Sequence, residues 1–187
     1  MGSASSSLFQ STEHPIVLLG LDHAGKTTVL YRLKKQKMVL PTPTVGFNCE
    51  TIKVNHGPAR GHTFVMWDVG GQENYRLLWP HYVKTSTALI FILDASDQQK
   101  FEEAKVELDT VLQSVPNPDK FPLILLANKQ DKPEAASLET IINTFTNDLQ
   151  ENYIIKILLC TAVTGEGLEK FFPEVLSAIQ QSKRANR

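Results

Sequence analysis

The chain has 187 residues, 21% of them charged, and a formal net charge of −1. That length favours one domain with a substantial core, and the near-neutral balance argues against a nucleic-acid binder, which usually carries a strong basic excess. The only two cysteines, Cys49 and Cys160, stand far apart with no C-x-x-C pairing, which speaks against a disulfide framework or cysteine zinc site and for a reducing compartment.

Residues 1–13 read as a flexible extension. They lack the charged start and long apolar core of a secretory signal, and no apolar run in the chain approaches the roughly 20 residues needed to cross a bilayer. The expectation is a soluble intracellular protein. Within the extension, Met1-Gly2-Ser3-Ala4-Ser5-Ser6 fits the N-myristoylation pattern, with the lipid on Gly2.

The first strand-like run, Ile16–Leu19, leads into Gly20-Leu21-Asp22-His23-Ala24-Gly25-Lys26-Thr27 and then into a helix-like segment, Lys26–Lys37. The pattern G-x-x-x-x-G-K-[ST] between a strand and a helix is a phosphate loop. Its backbone N–H groups point inward, and the helix N-terminus adds partial positive charge. Lys26 is placed to reach the β- and γ-phosphates and the Thr27 hydroxyl to ligate Mg²⁺. Asp22 is the odd member, a carboxylate inside an anion cradle.

Thr44–Val54 and His62–Trp67 have only a turn through Asn55-His56-Gly57-Pro58 between them, so they are expected to form an antiparallel edge hairpin. His56 and His62, near that turn, are expected to face solvent. The second strand of the hairpin ends in Asp68-Val69-Gly70-Gly71-Gln72. Here Asp68 suits a water-mediated hold on Mg²⁺, the Gly71 N–H suits a γ-phosphate, and Gln72 suits the orientation of a water.

Ala88–Leu93 is the next apolar run, followed by the helical segment Phe101–Gln113 and the run Leu123–Ala127. The motif Asn128-Lys129-Gln130-Asp131 comes directly after it. A carboxylate can accept two hydrogen bonds from guanine N1–H and N2–H₂, which adenine cannot supply. Asp131 is the candidate for that contact, Asn128 for tying loops together, and the Lys129 stem for covering the base. Ser137–Leu149, Ile154–Leu159 and Leu168–Gln181 complete the alternation. Nearly continuous Val/Ile/Leu strands between helices imply an α/β fold whose parallel sheet is sandwiched by helices. The division expected is an extension over 1–13, one domain over 14–182, and a short polar and basic tail over 183–187.

These motifs, with Pro43-Thr44-Val45-Gly46-Phe47-Asn48, resemble the ADP-ribosylation-factor (Arf) family of small GTPases from about Ile16 to Phe172. The resemblance implies a six-stranded sheet, mostly parallel with one antiparallel edge hairpin, five helices, and nucleotide at the C-terminal strand ends. It assigns Asp22, His23, Ala24, Gly25, Lys26, Thr27 and Thr28 to the nucleotide loop. Thr44 becomes the threonine that meets Mg²⁺ and the γ-phosphate in the triphosphate state. Thr161-Ala162-Val163 matches the last base-binding loop, with the Ala162 N–H toward guanine O6. Phe47, Trp67 and Tyr82 fall where the family presents three aromatic rings to effectors. An aspartate at position 22 is normal there and fits slow unaided hydrolysis, whereas His23 replaces a small residue and Leu78 a proline. The segment between Phe47 and Trp67 is about five residues longer than the family pattern, a tolerable insertion at a hairpin tip.

The implied activity is attack of a water oriented by Gln72 on the γ-phosphate, with Lys26 and Mg²⁺ neutralising charge. No arginine is obviously supplied in cis, so a GTPase-activating protein is expected to contribute one. A guanine-nucleotide exchange factor and effectors are the other implied partners, for a monomeric chain that touches intracellular membranes reversibly. A P-loop kinase would have no use for Asn128–Asp131. A GTP-binding scaffold that does not hydrolyse would keep every binding motif, and Gln72 argues against it.

Overall fold

The computed structural model describes residues 13–35, 44–147 and 149–186. Gly2 and Pro43 lie outside the described residues. In chain order the elements are β1 (Glu13–Leu19), α1 (Lys26–Lys35), β2 (Phe47–Lys53), β3 (Thr63–Val69), α2 (Glu73–Arg76), α3 (Trp79–Thr85), β4 (Ala88–Asp94), α4 (Phe101–Leu112), β5 (Phe121–Asn128), α5 (Leu138–Phe145), β6 (Tyr153–Leu159) and α6 (Phe171–Ala185). Short 3₁₀ turns at Gln98–Lys100 and Leu168–Lys170 lead into α4 and α6. The strands form one sheet in the order β2-β3-β1-β4-β5-β6. Only β2 and β3 run antiparallel, at the edge; every other neighbouring pair is parallel.

Strand residues alternate between faces, and both faces are covered, so the central strands are apolar along their whole length. Ile16 and Leu18 of β1 join Ile90, Ile92, Ile124 and Leu126 beneath α1 and α6. Val17 and Leu19 join Leu89, Phe91, Leu123 and Leu125 on the opposite face, against α3, α4 and α5. The register that sorts these residues also brings the carboxyl ends of β1, β3, β4 and β5 to one rim, where the polar motifs begin.

Three expectations need correction. Glu13 belongs to β1, so it is not part of a flexible leader. The expected tail at 183–187 is helix as far as Ala185, and Lys183 and Arg184 in that last turn suit the negative end of the helix dipole. The resemblance implies five helices, whereas the described residues form six α-helices, with two short ones, α2 and α3, after Gln72. Pro80 has no N–H and fits only the first turn of a helix, so a new helix starts at Trp79.

The hairpin tip is folded back on itself. Val54 N–H donates to His62 O at 2.9 Å and Gly61 N–H to Val54 O at 2.8 Å, which carries Ala59 into the core. His56 is exposed as expected, but His62 is half-buried. Its Nδ1 lies 2.9 Å from Nε2 of His14, itself only 2% exposed. The correction has a simple cause: β1 and β3 pair with Glu13 opposite Thr63, which sets the two rings side by side. Burial, then the nearby His62 and Lys183, lowers the His14 pKa to about 4.

The folded state therefore holds His14 neutral over a range where the unfolded chain, near 6.5, takes up a proton. A base with a lowered folded pKa contributes stability that is intact above the unfolded value and is lost as pH falls from 6.5 toward 4. Urea unfolding at pH 7 and pH 5 should differ by about 2 kcal/mol from this group. His14→Gln should flatten that part of the profile, and an unchanged pH dependence in the variant would show that another group is responsible.

Candidate functional site

The phosphate loop sits between β1 and α1. Gly20 opens it with φ +143°, and a Cβ there would lie 2.2 Å from Ile92 O, so only glycine fits beside β4. Gly25, at φ +94°, is equally restricted, because a Cβ would meet the Asn128 amide at 2.4 Å. Lys26 is buried, and its ammonium donates to the carbonyls of Gly20 and Leu21, both at 2.9 Å. Burial lowers its pKa to about 8, against the opposing pull of Asp68 and Asp22. The charge lies at the mouth of the loop with neutral carbonyls as its direct partners, which is the electrostatic condition for holding an anion.

Asp22 turns outward. Its carboxylate lies 3.6 Å from Lys100 Nζ and 3.7 Å from His23 Nε2. The acid that looked misplaced in an anion cradle is thus matched on the outer side of the loop. His23 has φ +61° and is exposed, while Ala24 is buried and Thr28 half-buried in the first turn of α1.

Thr27, Thr44 and Asp68 meet although they come from three separate segments. The Thr27 hydroxyl donates to Asp68 Oδ2 at 2.6 Å, and the two threonine hydroxyl oxygens are 2.8 Å apart. Asn48, which the sequence reading left without a role, donates its amide to the same Asp68 oxygen at 3.2 Å. Asp68 is fully buried, and its other oxygen, Oδ1, has no hydrogen-bond partner among the described residues. Burial raises its pKa despite the hydrogen bonds from Thr27 and Asn48 and the nearby Lys26. A buried carboxylate oxygen without a partner, next to two hydroxyls, is a set of hard oxygen donors of the kind that Mg²⁺ prefers.

At the end of β5, Asn128 bridges two loops. Its amide donates to Ala24 O at 2.9 Å and its Oδ1 accepts the Ala162 N–H at 2.9 Å. The same Ala162 N–H is the group that the resemblance turns toward guanine O6, so Asn128 holds that loop in place from behind. Lys129 adopts φ +67°, and its ammonium pairs with Asp94 at the end of β4. Burial would raise the Asp94 carboxyl, but hydrogen bonds from Lys129 and Ser96 more than offset this and lower it. Asp94 was missed in the sequence, where a single acid at a strand end carries no signal. Asp131 is exposed, and its carboxylate has no hydrogen-bond or ion-pair partner among the described residues. Thr161 is buried and Val163 exposed in the neighbouring loop.

The two segments flanking β2 and β3 approach the same loop. Gly71 is packed so closely that a Cβ would lie 2.5 Å from both Gly20 O and Lys26 Nζ. Trp79 Nε1 donates to Gly70 O at 3.0 Å from inside the core. Gln72 follows, exposed, at the N-cap position of α2 and with no capping bond from its side chain. The rings of Phe47, Trp67 and Tyr82 form a triangle with all three centroid distances at 5.5 Å. Phe47 is 49% exposed, and Val45 and Leu77 stand out at 81% and 85%. A separate cavity of about 520 Å³ lies between α1, the β2–β3 hairpin and the start of α6, and holds none of the expected site residues.

Among the described residues no helix is long and apolar enough to cross a membrane, and no group of three or more His, Cys, Asp or Glu side chains is arranged to hold a metal. The candidate Mg²⁺ donors are a different set, two hydroxyls and a single carboxylate.

The model of the ADP-ribosylation factor family matches residues 1–179. ADP-ribosylation factor-like protein 4D of Homo sapiens is 40% identical over 186 residues, covering 99% of this chain and 92% of the relative. ADP-ribosylation factor-like protein 4C of Homo sapiens is 38% identical over 186 residues, covering 99% and 96%. Among solved structures, the Arl6 BBS3 small GTPase from Trypanosoma brucei, determined with the bound nucleotide analogue GppNp, superposes with a TM-score of 0.78 at 27% identity. That likeness covers 91% of this chain and 99% of the other.

Proposed function

Because the chain belongs to the ADP-ribosylation factor family of small GTPases, whose members hydrolyse GTP, we propose that it is a GTP/GDP switch that recruits effectors at an intracellular membrane. The observation that carries this reading is the junction of Thr44 with Thr27 and Asp68. A residue outside the phosphate loop is tied to it through the donors suited to a divalent ion, so loss of the γ-phosphate would release Thr44 and Gly71 together. Lys26 would hold the β- and γ-phosphates, and Asp131 the guanine edge. Thr27, Thr44 and, through water, Asp68 would hold Mg²⁺, which when bound neutralises phosphate charge. Gln72, exposed beside Gly71, would orient the attacking water. Phe47, Trp67 and Tyr82, with Val45 and Leu77 beside them, form the surface assigned to effectors. A GTPase-activating protein would add the arginine, and unaided hydrolysis would be slow.

Nucleotide extracted from purified protein should be GDP or GTP, with no adenine nucleotide. Phosphate release stimulated by cell extract should fall on the order of a hundredfold in Gln72→Leu while GTP remains bound. Equal stimulated release from both proteins would remove Gln72 from its role and favour a scaffold or another water-positioning group.

Membrane contact is proposed through Gly2. One myristoyl chain gives only marginal, reversible binding, with a constant of order 10⁴ M⁻¹, so attachment should strengthen when GTP frees the leader. Mass spectrometry of protein from eukaryotic cells should find myristate on Gly2, and Gly2→Ala should become soluble. Unchanged membrane fractionation of Gly2→Ala would end this part of the proposal.

A further inference from the structure

Arg76, the last residue of α2, is the most heavily committed cation near the phosphate loop. Its Nε donates to Gly71 O at 3.0 Å. Its terminal nitrogen Nη1 lies 2.7 Å from Glu103 Oε1 and 2.9 Å from Glu107 Oε1, and its side chain is 12% exposed. Glu103 and Glu107 stand one turn apart on the face of α4 that meets this segment. The guanidinium fork thus spans two elements, with carboxylates on one side and a backbone carbonyl on the other.

The carbonyl it holds belongs to the peptide that joins Gly71 to Gln72. Fixing that peptide plane fixes the direction of the Gln72 N–H and the position of its Cα, from which the side chain departs. Gln72 is otherwise held only through its backbone, its carbonyl accepting the Tyr75 N–H at 2.9 Å, while its side chain is exposed and makes no capping bond among the described residues. Upstream, Trp79 holds the preceding carbonyl, Gly70 O, at 3.0 Å. Successive carbonyls are therefore each pinned by a side chain from the helices that follow.

We propose that Arg76 is a positioning residue for GTP hydrolysis: with Glu103 and Glu107 it forms a latch that anchors the Gly71–Gln72 peptide to α4 and presents Gln72 to the attacking water. The proposal rests on the GTPase reading above. It differs from a direct contact of Arg76 with phosphate in that the action runs through Nε on Gly71 O and Nη1 on the two carboxylates.

The test is single-turnover hydrolysis of bound GTP, with GDP affinity and melting temperature measured in parallel, for Arg76→Gln, for Glu103→Gln/Glu107→Gln, and for the three substitutions combined. The latch predicts that Arg76→Gln and the glutamate pair each slow hydrolysis about tenfold, while GDP affinity stays within about twofold. The combined variant should be no slower than Arg76→Gln, since all three residues act through one link. Arg76→Lys should restore only part of the rate, because an ammonium cannot fork to a carbonyl and two carboxylates. Trp79 fluorescence in the GTP state should shift in Arg76→Gln and in the glutamate variant alike, reporting loss of the Gly70–Gly71 geometry. If removing the glutamates leaves hydrolysis unchanged or raises it while Arg76→Gln slows it, Arg76 acts on the phosphate directly and the latch is wrong. Wild-type rates in both variants would also overturn it while leaving the GTPase reading in place. A wild type that binds but does not hydrolyse GTP would instead overturn that reading, and the latch with it.

Discussion

Lys26→Ala should lose GTP affinity by at least a hundredfold and yet leave the nucleotide-free protein as stable as the wild type or more so. The two effects have opposite signs because the same ammonium is an asset with a phosphate and a liability without one. Lys26 is 6% exposed and donates to two neutral carbonyls, and burial brings its pKa down to about 8. Removing a buried ammonium whose direct partners are neutral carbonyls relieves its desolvation penalty, which offsets the loss of its longer-range attraction to Asp68 and Asp22. With nucleotide present, the charged hydrogen bonds to phosphate are worth about 3 kcal/mol, and each 1.4 kcal/mol is tenfold in affinity. Titration with a fluorescent GTP analogue, alongside melting curves with and without GDP, measures both. Retained affinity in Lys26→Ala would mean that the loop N–H groups alone hold the phosphates.

A change of base preference, with the fold left alone, is expected of Asp131→Asn. The Asp131 carboxylate is exposed and makes no hydrogen bond or ion pair among the described residues, so its replacement disturbs no internal contact. Guanine offers two donors at the edge this carboxylate would face, and an amide can accept there with only one of its two ends. Loss of one charged hydrogen bond and opposition of another should cost a few kcal/mol, on the order of a hundredfold or more in GTP affinity. Xanthine carries a carbonyl at that position and should bind the variant better than it binds the wild type. Competition between GTP, XTP and ATP reads this directly. If ATP competes equally with GTP on the wild type, the guanine assignment fails.

Much of this was open to reading because the relevant signals are local. The phosphate loop, the Asp68–Gln72 run and the Asn128–Asp131 run each place their residues within a few positions of a strand end. Chain geometry there converts spacing into position with little help from the rest of the molecule. The strands were legible for the same reason, since runs such as Ala88–Leu93 and Leu123–Ala127 are covered on both faces and carry no polar interruptions. Helix starts were less clear: the new helix at Trp79 depends on Pro80, and the separate α2 is only four residues long.

What the amino-acid order alone determined was therefore the architecture and the set of groups collected at one rim of the sheet. Tertiary structure decided which way those groups face. Asp22 turns to Lys100, His62 turns to His14, Asn128 bridges Ala24 and Ala162, and Arg76 joins Gly71 to α4. All but the Arg76–Gly71 bond join residues far apart in the chain, brought together by strand order and register. A side chain's direction depends on what packs beside it, and its protonation on how much water remains there. Neither quantity exists until the sheet has closed, which is why Asp22 is a puzzle in the sequence and a satisfied ion-pair partner in the fold.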